Sequence, residues 1–363
     1  MIGAKLKIAL LYDLWNEDPV AAAAKEKEEE APAPKVRKKL KKIKKEKTDR
    51  EEIFEALQKL GHEPSYFEVD GRPQSLHGLT KCDADLIFNL TESFGGDDTK
   101  EMNVVAYVDL LGLRYTGAGP HAIFMSQDKA IAKKIFAFHG IKTPFFATCY
   151  RGHTEHAHDI SFPLIVKPSW EDGSIGIDAG SVVKNIKEMM ERIQYIQDEF
   201  DSPALIEEYI EGREIYAGIL GSYDRTQVLP LVELDLSRLP EGTPKIASYD
   251  VKFEKNTEVY KLTKSEIAEN LDDETRKRLE DTAVAAYRAL KLRDYGRIDM
   301  RLAPNGDVYV IEANPNPWLA SRQEFAMAAK AAGLSYTEMI GAIVDLAMSR
   351  YPNANLANGA AMR

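Results

Sequence analysis

The most constraining feature of this sequence is a pair of short apolar runs near the C-terminus that flank a tight turn. The runs Tyr295–Leu302 and Asp307–Glu312 lie on either side of Pro304-Asn305-Gly306. An Asn-Gly pair between two such runs is a strong signal for a β-hairpin, because both residues tolerate the positive φ angles that hairpin turns require. The sequence therefore predicts an antiparallel hairpin at this position.

Polar residues interrupt both strands of the predicted hairpin. Because side chains alternate along a strand, Arg297, Asp299 and Arg301 share one face of the first strand, and Glu312 and Asn314 share one face of the second. If the strands pair, two carboxylates, an amide oxygen and a guanidinium meet. Hard oxygen ligands of this kind suit Mg²⁺, which binds a few carboxylates together with substrate phosphate.

The alternative interpretation of these residues is an exposed hairpin whose charges are solvated. Ile311 and Ala313 are apolar and alternate with the polar positions of the second strand, so we expect that strand to have a buried face. Charged groups at the end of a buried strand are unusual unless they are paired. This argument weakens the alternative, and both interpretations stay open at this point.

The N-terminal third alternates predicted strands with a predicted helix. Strand-like runs occur at Lys5–Leu14, Tyr66–Val69 and Asp85–Leu90, and the amphipathic segment Glu51–Leu60 separates the first two. This order predicts an α/β layer. Gly117-Ala118-Gly119-Pro120 then breaks the pattern, and we expect a domain boundary there.

Two lysines stand at the ends of predicted elements. Lys129 lies near the start of a predicted helix, Ser126–His139, and Lys167 follows the apolar run Phe162–Val166. The next segment, Pro168–Ile177, contains two glycines and two hydroxyls, and glycines let backbone N–H groups approach phosphate oxygens closely. It is not a Walker A loop. Taken alone, the pattern fits a surface loop as well as a phosphate-binding loop.

Charge is distributed unevenly along the chain. The segment Lys35–Arg50 carries ten basic and two acidic residues, whereas the net charge of the whole chain is −10. We predict a charged, solvated insertion over residues 17–50. A surface for anionic lipid, nucleic acid or an acidic partner is the alternative. Nucleic acid is not expected, because no aromatic residue is interleaved with the lysines and the rest of the chain is acidic.

The composition also bears on location. No apolar run reaches the roughly 18–20 residues that span a bilayer, and the start of the chain lacks a signal-peptide pattern. Cys82 and Cys149 are too few for a disulfide framework. We therefore expect a cytoplasmic protein with no membrane span.

The order of these segments resembles the ATP-grasp superfamily and, within it, the D-alanine–D-alanine ligases. The resemblance extends from residue 105 to 350. The matching segments, in chain order, are Tyr115–Gly119, Lys129, Val166-Lys167-Pro168 with the loop that follows, Glu207–Glu214, Arg297-Ile298-Asp299, Glu312-Ala313-Asn314 and Ala332–Tyr336.

This resemblance implies an α/β (α+β ATP-grasp) fold. An N-terminal Rossmann-like (preATP-grasp) domain would precede a two-part ATP-grasp nucleotide-binding module. The implied boundaries are 1–119 for the N-terminal domain with its insertion, 120–215 for the central subdomain, 216–352 for the C-terminal subdomain and 353–363 for a tail.

The resemblance also implies roles in binding ATP. Lys129 and Lys167 would hold the phosphates, and Ser174 and its neighbours would form a flexible lid over them. Glu207 and the Ile210 backbone would contact adenine, and Glu214 the ribose hydroxyls.

The implied catalytic residues lie nearer the C-terminus. Asp299, Glu312 and Asn314 would hold two Mg²⁺ ions, with Mn²⁺ as a substitute. Arg297 would stabilise the negative charge that develops during acyl transfer, and Lys252, in the family's mobile loop, would reach the transferred phosphate. The implied reaction is ATP-dependent: a carboxylate becomes an acyl phosphate, an amine attacks it, and a peptide or amide bond forms.

The substrate-binding segments depart from the family pattern. Leu11–Asp18 stands where the ligases carry a Gly-rich segment with a Ser and a Glu. Trp318 stands where they carry a glycine, and Arg322 and Gln323 lie where they carry a serine that meets the second substrate's carboxylate. Glu92 is a candidate for holding a substrate amine. We therefore predict altered specificity, with Arg322 available as a bidentate clamp for a carboxylate.

Two other functions stay open. The first alternative to a ligase of altered specificity is a true D-alanine–D-alanine ligase with remodelled pockets, and the second is a non-catalytic ATP-binding scaffold that docks a partner through residues 35–50. The expected partners of the enzyme are small-molecule carboxylates and amines, and a homodimer is expected. The sequence names neither the acid nor the amine.

Overall fold

The structure, a computed structural model, describes residues 5–13, 47–156, 161–171, 173–223, 225–254 and 256–351. Most of the predicted insertion, all of it before residue 47, and the predicted tail lie outside these residues. Within the described ranges, no helix combines the length and the apolar character that crossing a bilayer requires.

A parallel three-stranded sheet forms the N-terminal layer, with the strand order β2-β1-β3. Its strands are β1 (Lys7–Tyr12), β2 (Glu63–Glu68) and β3 (Leu86–Asn89). Its helices are α1 (Asp49–Lys59), α2 (Pro73–Gly78) and α3 (Glu101–Leu110). α1 begins at a capping box in which the side chains of Thr48 and Glu51 each accept the other's backbone N–H. The predicted α/β layer is confirmed.

Two helices connect this layer to the second sheet. The helix predicted over Ser126–His139 is present as α5 (Lys129–Phe138), but it begins three residues later than predicted, because Ser126 and Gln127 belong to a separate helix, α4 (Pro120–Gln127). Asp128 separates them: its backbone is extended, and its side chain accepts the N–H of Ile131 at 2.9 Å as the N-cap of α5. The break makes Lys129 the first residue of a helix.

Five antiparallel strands form the middle sheet, in the order β5-β4-β8-β6-β7. They are β4 (Phe146–Tyr150), β5 (His153–His156), β6 (Leu164–Pro168), β7 (Val182–Val183) and β8 (Ala204–Glu208). α6 (Ile186–Glu199) packs on them, and its Ile193 and Ile196 share a core with Val166 and Ile206. β6 and β8 are antiparallel, with Lys167 opposite Leu205 and Glu207 opposite Ile165, so Lys167 and Glu207 are diagonal neighbours on one face of the sheet.

The third sheet has the order β12-β11-β9-β13-β14, and β10 pairs with β9. Its strands are β9 (Arg213–Ser222), β10 (Arg225–Val228), β11 (Val232–Asp235), β12 (Lys264–Ile267), β13 (Tyr295–Leu302) and β14 (Val308–Asn314). The short helices α7 (Tyr249–Lys252) and α8 (Glu258–Leu262) precede β12.

Helices cover both faces of this sheet, which explains its apolar composition. α9 (Asp273–Ala289) lies on one face, and α10 (Glu324–Ala331) and α11 (Tyr336–Ser349) lie on the other. Alternating residues of β9 serve the two cores: Ile215 and Ala217 pack beneath α9, and Tyr216 packs beneath α10 and α11.

The predicted C-terminal hairpin is present, with an irregularity that the sequence analysis did not predict. Leu302 pairs with Val308 next to the turn, but the register shifts so that Asp299 pairs with Glu312. β14 therefore carries one extra residue, Ile311, which is a β-bulge. The prediction that Ile311 lies on the buried face is wrong, because Ile311 lines the same cleft as Glu312.

The three sheets occupy successive parts of the chain, residues 7–89, 146–208 and 213–314. The expected boundary after residue 215 falls inside β9, since that strand begins at Arg213. The division into domains remains a prediction.

Candidate active site

A cleft of about 690 Å³, open to solvent, lies between the middle sheet and the third sheet. Apolar side chains, including those of Ile165 and Ile311, share its walls with charged ones. Most of the residues predicted to bind nucleotide or metal line it: Lys129, Lys167, Ser174, Glu207, Ile210, Glu214, Lys252, Asp299 and Glu312.

Two buried lysines, Lys129 and Lys167, line one wall of the cleft, and a third buried lysine, Lys133, lies behind that wall. Lys129, Lys133 and Lys167 are 6%, 0% and 3% exposed. Lys133 Nζ lies 2.7 Å from one carboxylate oxygen of Glu207, and Lys167 Nζ lies 2.9 Å from the other. Buried charges must be paired, and here one carboxylate pairs with two lysines. The wall therefore keeps excess positive charge, which suits a polyphosphate.

Lys129 links this wall to the metal side. Its Nζ donates a hydrogen bond to the backbone oxygen of Glu171 at 2.6 Å and lies 3.9 Å from Glu312 Oε2. A solvated lysine in the first turn of a helix is therefore excluded. The helix break at Asp128 causes this placement, because it sets the direction in which α5 starts.

The connection from β8 to β9 forms the end of the cleft where the resemblance places adenine and ribose. Both carboxylate oxygens of Glu207 face lysines. Glu214 pairs with Arg301, whose Nε lies 2.7 Å from Glu214 Oε2. Arg301 also donates to the backbone oxygen of Gly212 at 2.9 Å. The contacts of Glu207, Ile210 and Glu214 with a nucleotide remain predictions.

The carboxylates of the hairpin meet at the opposite wall. Asp299 is 1% exposed, and Arg297 donates to both of its oxygens, at 2.7 and 2.8 Å. Burial raises the pKa of Asp299 to about 6, although Arg297 opposes this shift. Burial also disfavours the ionised form of Glu312, but Lys129, Lys252 and Lys167 outweigh it and lower that pKa to about 2. Glu312 is thus an anion at neutral pH.

The donor set of this wall fits a divalent cation. Asp299 lies opposite Glu312, and Asn314 lies opposite Arg297 on the same two strands. The side-chain nitrogen of Asn314 is buried and has no hydrogen-bond partner among the described residues. The orientation of the amide is therefore not fixed by a hydrogen bond from that nitrogen. Two carboxylates and an amide oxygen are ligands that Mg²⁺ accepts. The described residues contain no cluster of three His, Cys, Asp or Glu with metal-binding geometry.

Two loops meet over the cleft. Ser174 adopts a φ of 63°, and its Oγ donates to the backbone oxygen of Ala247 at 2.8 Å. The Tyr249 N–H donates to the Ile177 oxygen at 3.0 Å. The second loop leads into α7, where Lys252 lines the cleft and lies 5.9 Å from the centre of the Tyr216 ring. The predicted lid and the predicted loop of Lys252 are therefore in contact.

The residues predicted to bind substrate lie apart from the cleft lining. The Glu92 N–H donates to Asp13 Oδ2 at 2.7 Å. Trp318 is 36% exposed, hydrogen-bonds with Asp49, and its ring lies 6.3 Å from that of Phe253, next to Lys252. The other two residues are Arg322, which is exposed, and Gln323, which is the N-cap of α10. The structure does not bring these four residues into one pocket. Their roles remain predictions.

Lys133 is the site residue that sequence reasoning missed. It follows Lys129 by four residues and therefore lies on the same face of α5. That spacing was the available signal. It was insufficient, because lysines on a helix are usually solvated and only the tertiary fold puts a carboxylate beneath this one.

Comparison with known proteins gives one consistent result. The sequence model of the family described as D-ala D-ala ligase C-terminus matches residues 137–345. An uncharacterized protein of Sinorhizobium fredii is 33% identical over 305 residues, 82% of this chain and 87% of that protein. A D-alanine–D-alanine ligase of Bordetella petrii is 32% identical over 300 residues, 81% of this chain and 84% of that protein.

Two solved structures share the fold. The D-alanine–D-alanine ligase of Bacillus anthracis complexed with ATP superposes with a TM-score of 0.70 at 21% identity, covering 96% of this chain and 99% of that one. VanG D-Ala:D-Ser ligase of Enterococcus faecalis superposes with a TM-score of 0.69 at 20% identity, covering 95% and 100%. The expected ATP-grasp fold is confirmed.

Proposed function

The chain belongs to the D-alanine–D-alanine ligase family of ATP-dependent, C–N bond-forming ligases, and from this premise we propose that its preferred substrates are not two molecules of free D-alanine. The observation that carries the proposal is a departure from the family pattern beside a retained cleft. Lysines and carboxylates face each other across the cleft, whereas Trp318 and Asp49 occupy the region next to the loop of Lys252.

The reaction that this site supports has two steps. A substrate carboxylate oxygen attacks the γ-phosphorus of ATP, so a P–O bond forms, another breaks and ADP leaves. The amine nitrogen then attacks the carbonyl carbon of the acyl phosphate, inorganic phosphate leaves and the amine loses a proton. Lys129, Lys167 and Lys252 orient the phosphates and offset their charge, and Arg297 faces the negative charge on the acyl oxygen.

Asp299, Glu312 and Asn314 would hold the divalent metal, and we propose two Mg²⁺ ions, replaceable by Mn²⁺. When bound, the metal supplies charge neutralisation at the phosphoryl oxygens. Arg297 holds Asp299 in its ionised form and in a fixed orientation through two hydrogen bonds.

The two loops exclude water from the reacting atoms. Acyl phosphates hydrolyse readily, so a ligase must keep water out until the amine attacks. The contact between Ser174 and Ala247 closes one loop on the other, and Ser174 stands in the left-handed backbone region after Gly173. We propose that this contact opens to admit ATP.

Trp318 makes the acceptor side bulkier than the family pattern implies, and two acidic side chains of α1 contact this region. Glu52 accepts hydrogen bonds from both the N–H and the hydroxyl of Ser321, at 2.7 and 2.8 Å. Asp49 contacts Trp318 from the same helix, α1. We propose that these side chains restrict the pocket and disfavour a small amino acid whose carboxylate would lie beside them. The roles of Glu92, Arg322 and Gln323 belong to the same proposal.

A cytoplasmic location and a homodimer are further parts of the proposal. Cys82 and Cys149 are both free, as in proteins of a reducing compartment. Light scattering of the purified chain tests the dimer.

A phosphate-release screen tests the function. Pairs of D- and L-amino acids, dipeptides and carboxylates without an amino group are supplied with ATP and Mg²⁺, and products are identified by mass spectrometry. We expect ADP formation that requires both an acid and an amine, with a better pair than D-alanine with D-alanine. Efficient D-alanyl-D-alanine synthesis would overturn the specificity proposal, and ATP binding without turnover on any pair would favour the scaffold.

A further inference from the structure

Lys133 is fully buried and is not among the residues that line the cleft. Its Nζ lies 2.7 Å from Glu207 Oε1 and donates to Thr143 Oγ1 at 2.8 Å. Glu207 in turn pairs with Lys167, which does line the cleft. Lys133 therefore stands behind the phosphate-facing lysine, with one carboxylate between them.

Lys133, Glu207 and Lys167 form a row of three charged side chains, and the net charge of this row determines how strongly the cleft attracts an anion. A Glu207–Lys167 pair by itself is neutral, and it would offer little net attraction to a polyphosphate. With Lys133 protonated, the row Lys133–Glu207–Lys167 carries one net positive charge, and Lys167 is the member nearest the cleft. Because the protein interior screens charges weakly, one additional positive charge next to the cleft strongly increases its attraction for a polyphosphate.

The surroundings hold Lys133 in this position. Thr143 Oγ1 accepts from Lys133 and donates to the backbone oxygen of Val310, also at 2.8 Å. The Val310 N–H donates to the Lys142 oxygen at 2.9 Å. Val310 directly precedes the bulge residue Ile311, so the lysine row is tied to the strand that carries Glu312.

We propose that Lys133 is a positioning residue for nucleotide binding: it takes half of the Glu207 carboxylate, so that Lys167 is left with positive charge for the phosphates of ATP. This inference rests on the proposed use of the cleft for ATP. It assigns to a buried side chain a contribution that is specific for phosphate and not for adenosine.

The protonation of Lys133 supports this role. Burial lowers its pKa to about 8, Glu207 opposes the shift, and Lys167 adds to it. The other charged groups that face it are Glu312 from β14 and Lys129 from its own helix. Lys133 is thus charged at pH 7 and loses its proton as the pH rises above 8.

The experiment compares ATP and adenosine binding, measured by calorimetry with Mg²⁺ on the full chain. In Lys133→Met we expect ATP affinity to fall roughly ten- to hundredfold, with adenosine affinity unchanged. Lys134→Met is the matched control, because Lys134 is the adjacent lysine, is exposed, and pairs only at the surface with Glu155. It is expected to bind both ligands as the wild type does.

If Lys133→Met weakened the binding of ATP and of adenosine equally, Lys133 would have only a structural role and the inference would be overturned. Unchanged ATP affinity in this variant would also overturn it. A second measurement does not depend on folding of a variant. In the wild type, the ratio of ATP to adenosine affinity should fall between pH 7 and pH 9.5, and a constant ratio contradicts the inference. A wild type that does not prefer ATP to adenosine contradicts the proposed function itself.

Discussion

Asp299 and Glu312 lie directly opposite each other on β13 and β14 because β14 contains one residue more than the register at the turn requires. If the pairing of Leu302 with Val308 continued without a shift, Glu312 would lie opposite Ile298, on the buried face. The bulge at Ile311 turns Glu312 towards Asp299. Bulges often redirect a side chain next to an active site, and here the bulge assembles the pair of carboxylates.

Glu312→Gln should remove most of the metal-dependent activity. The change keeps the shape of the side chain but removes the anion that Lys129 and Lys252 stabilise. We expect Mg²⁺-dependent phosphate release to fall about a hundredfold or more. Titration of activity with Mg²⁺ measures this loss. Glu266→Gln, an exposed position on β12, is the control, and an equal loss there would show a general effect on folding.

Arg297→Lys should reduce turnover more than ATP binding. Lysine keeps the charge but cannot make the two parallel hydrogen bonds to Asp299. We expect kcat to fall about a hundredfold, because the charge of the acyl-transfer transition state loses its fixed partner. Steady-state kinetics and ATP calorimetry separate the two effects. A loss confined to ATP affinity would contradict the assigned role.

Trp318→Gly should shift acceptor preference towards small amino acids. The indole lies beside Phe253 and contacts Asp49, so its removal enlarges the region next to the loop of Lys252. We expect the kcat/KM for D-alanine as acceptor to rise relative to the native pair, by about tenfold. Trp318→Phe retains bulk and should behave as the wild type. Identical acceptor preference in Trp318→Gly would exclude the indole as a specificity determinant.

Lys133 should make an identifiable contribution to the pH dependence of stability. Burial lowers its pKa to about 8 in the folded chain, whereas in the unfolded chain a lysine has its ordinary pKa of 10.5. Between these values the unfolded chain keeps a proton that the folded chain has released, so stability rises with pH. The free energy of unfolding of the wild type should therefore increase relative to Lys133→Met from pH 8 to pH 10. Urea titrations at several pH values test the sign, and a decrease would refute it.

Asp294→Asn should destabilise the contact between the N-terminal layer and the third sheet. Asp294 is fully buried, accepts two hydrogen bonds from Arg350 at 2.9 Å, and accepts the N–H of Gly117 at 2.8 Å. Its φ of 65° is tolerated by asparagine, so the change removes charge without backbone strain. We expect a loss of about 3 kcal/mol in the free energy of unfolding, measured with urea. Asp345→Asn, at an exposed position, should have no effect.

The order of elements and the chemistry of the site were accessible from the sequence. The runs around Asn305-Gly306 predicted the hairpin, and the predicted first strand Tyr295–Leu302 has the observed bounds of β13. Lys129 and Lys167 were recognised by their places at the ends of elements. Such features are local: they depend on turn residues, alternation and the residues next to a cap.

The remaining features depend on distant parts of the chain. Asp128 ended one helix and began another, and the apolar positions Ile131, Ile135 and Phe136 of the second helix did not reveal where that helix starts. Lys133 was indistinguishable from a solvated lysine until β8 brought Glu207 beneath it.

By itself the sequence determined which groups are available: lysines for phosphate, oxygen ligands for a metal and a hairpin to carry them. Only the tertiary structure decided which groups face one another. A single extra residue in a strand reverses the side on which every later side chain lies, and the pairing of strands, rather than the composition of either, determines where that residue is accommodated.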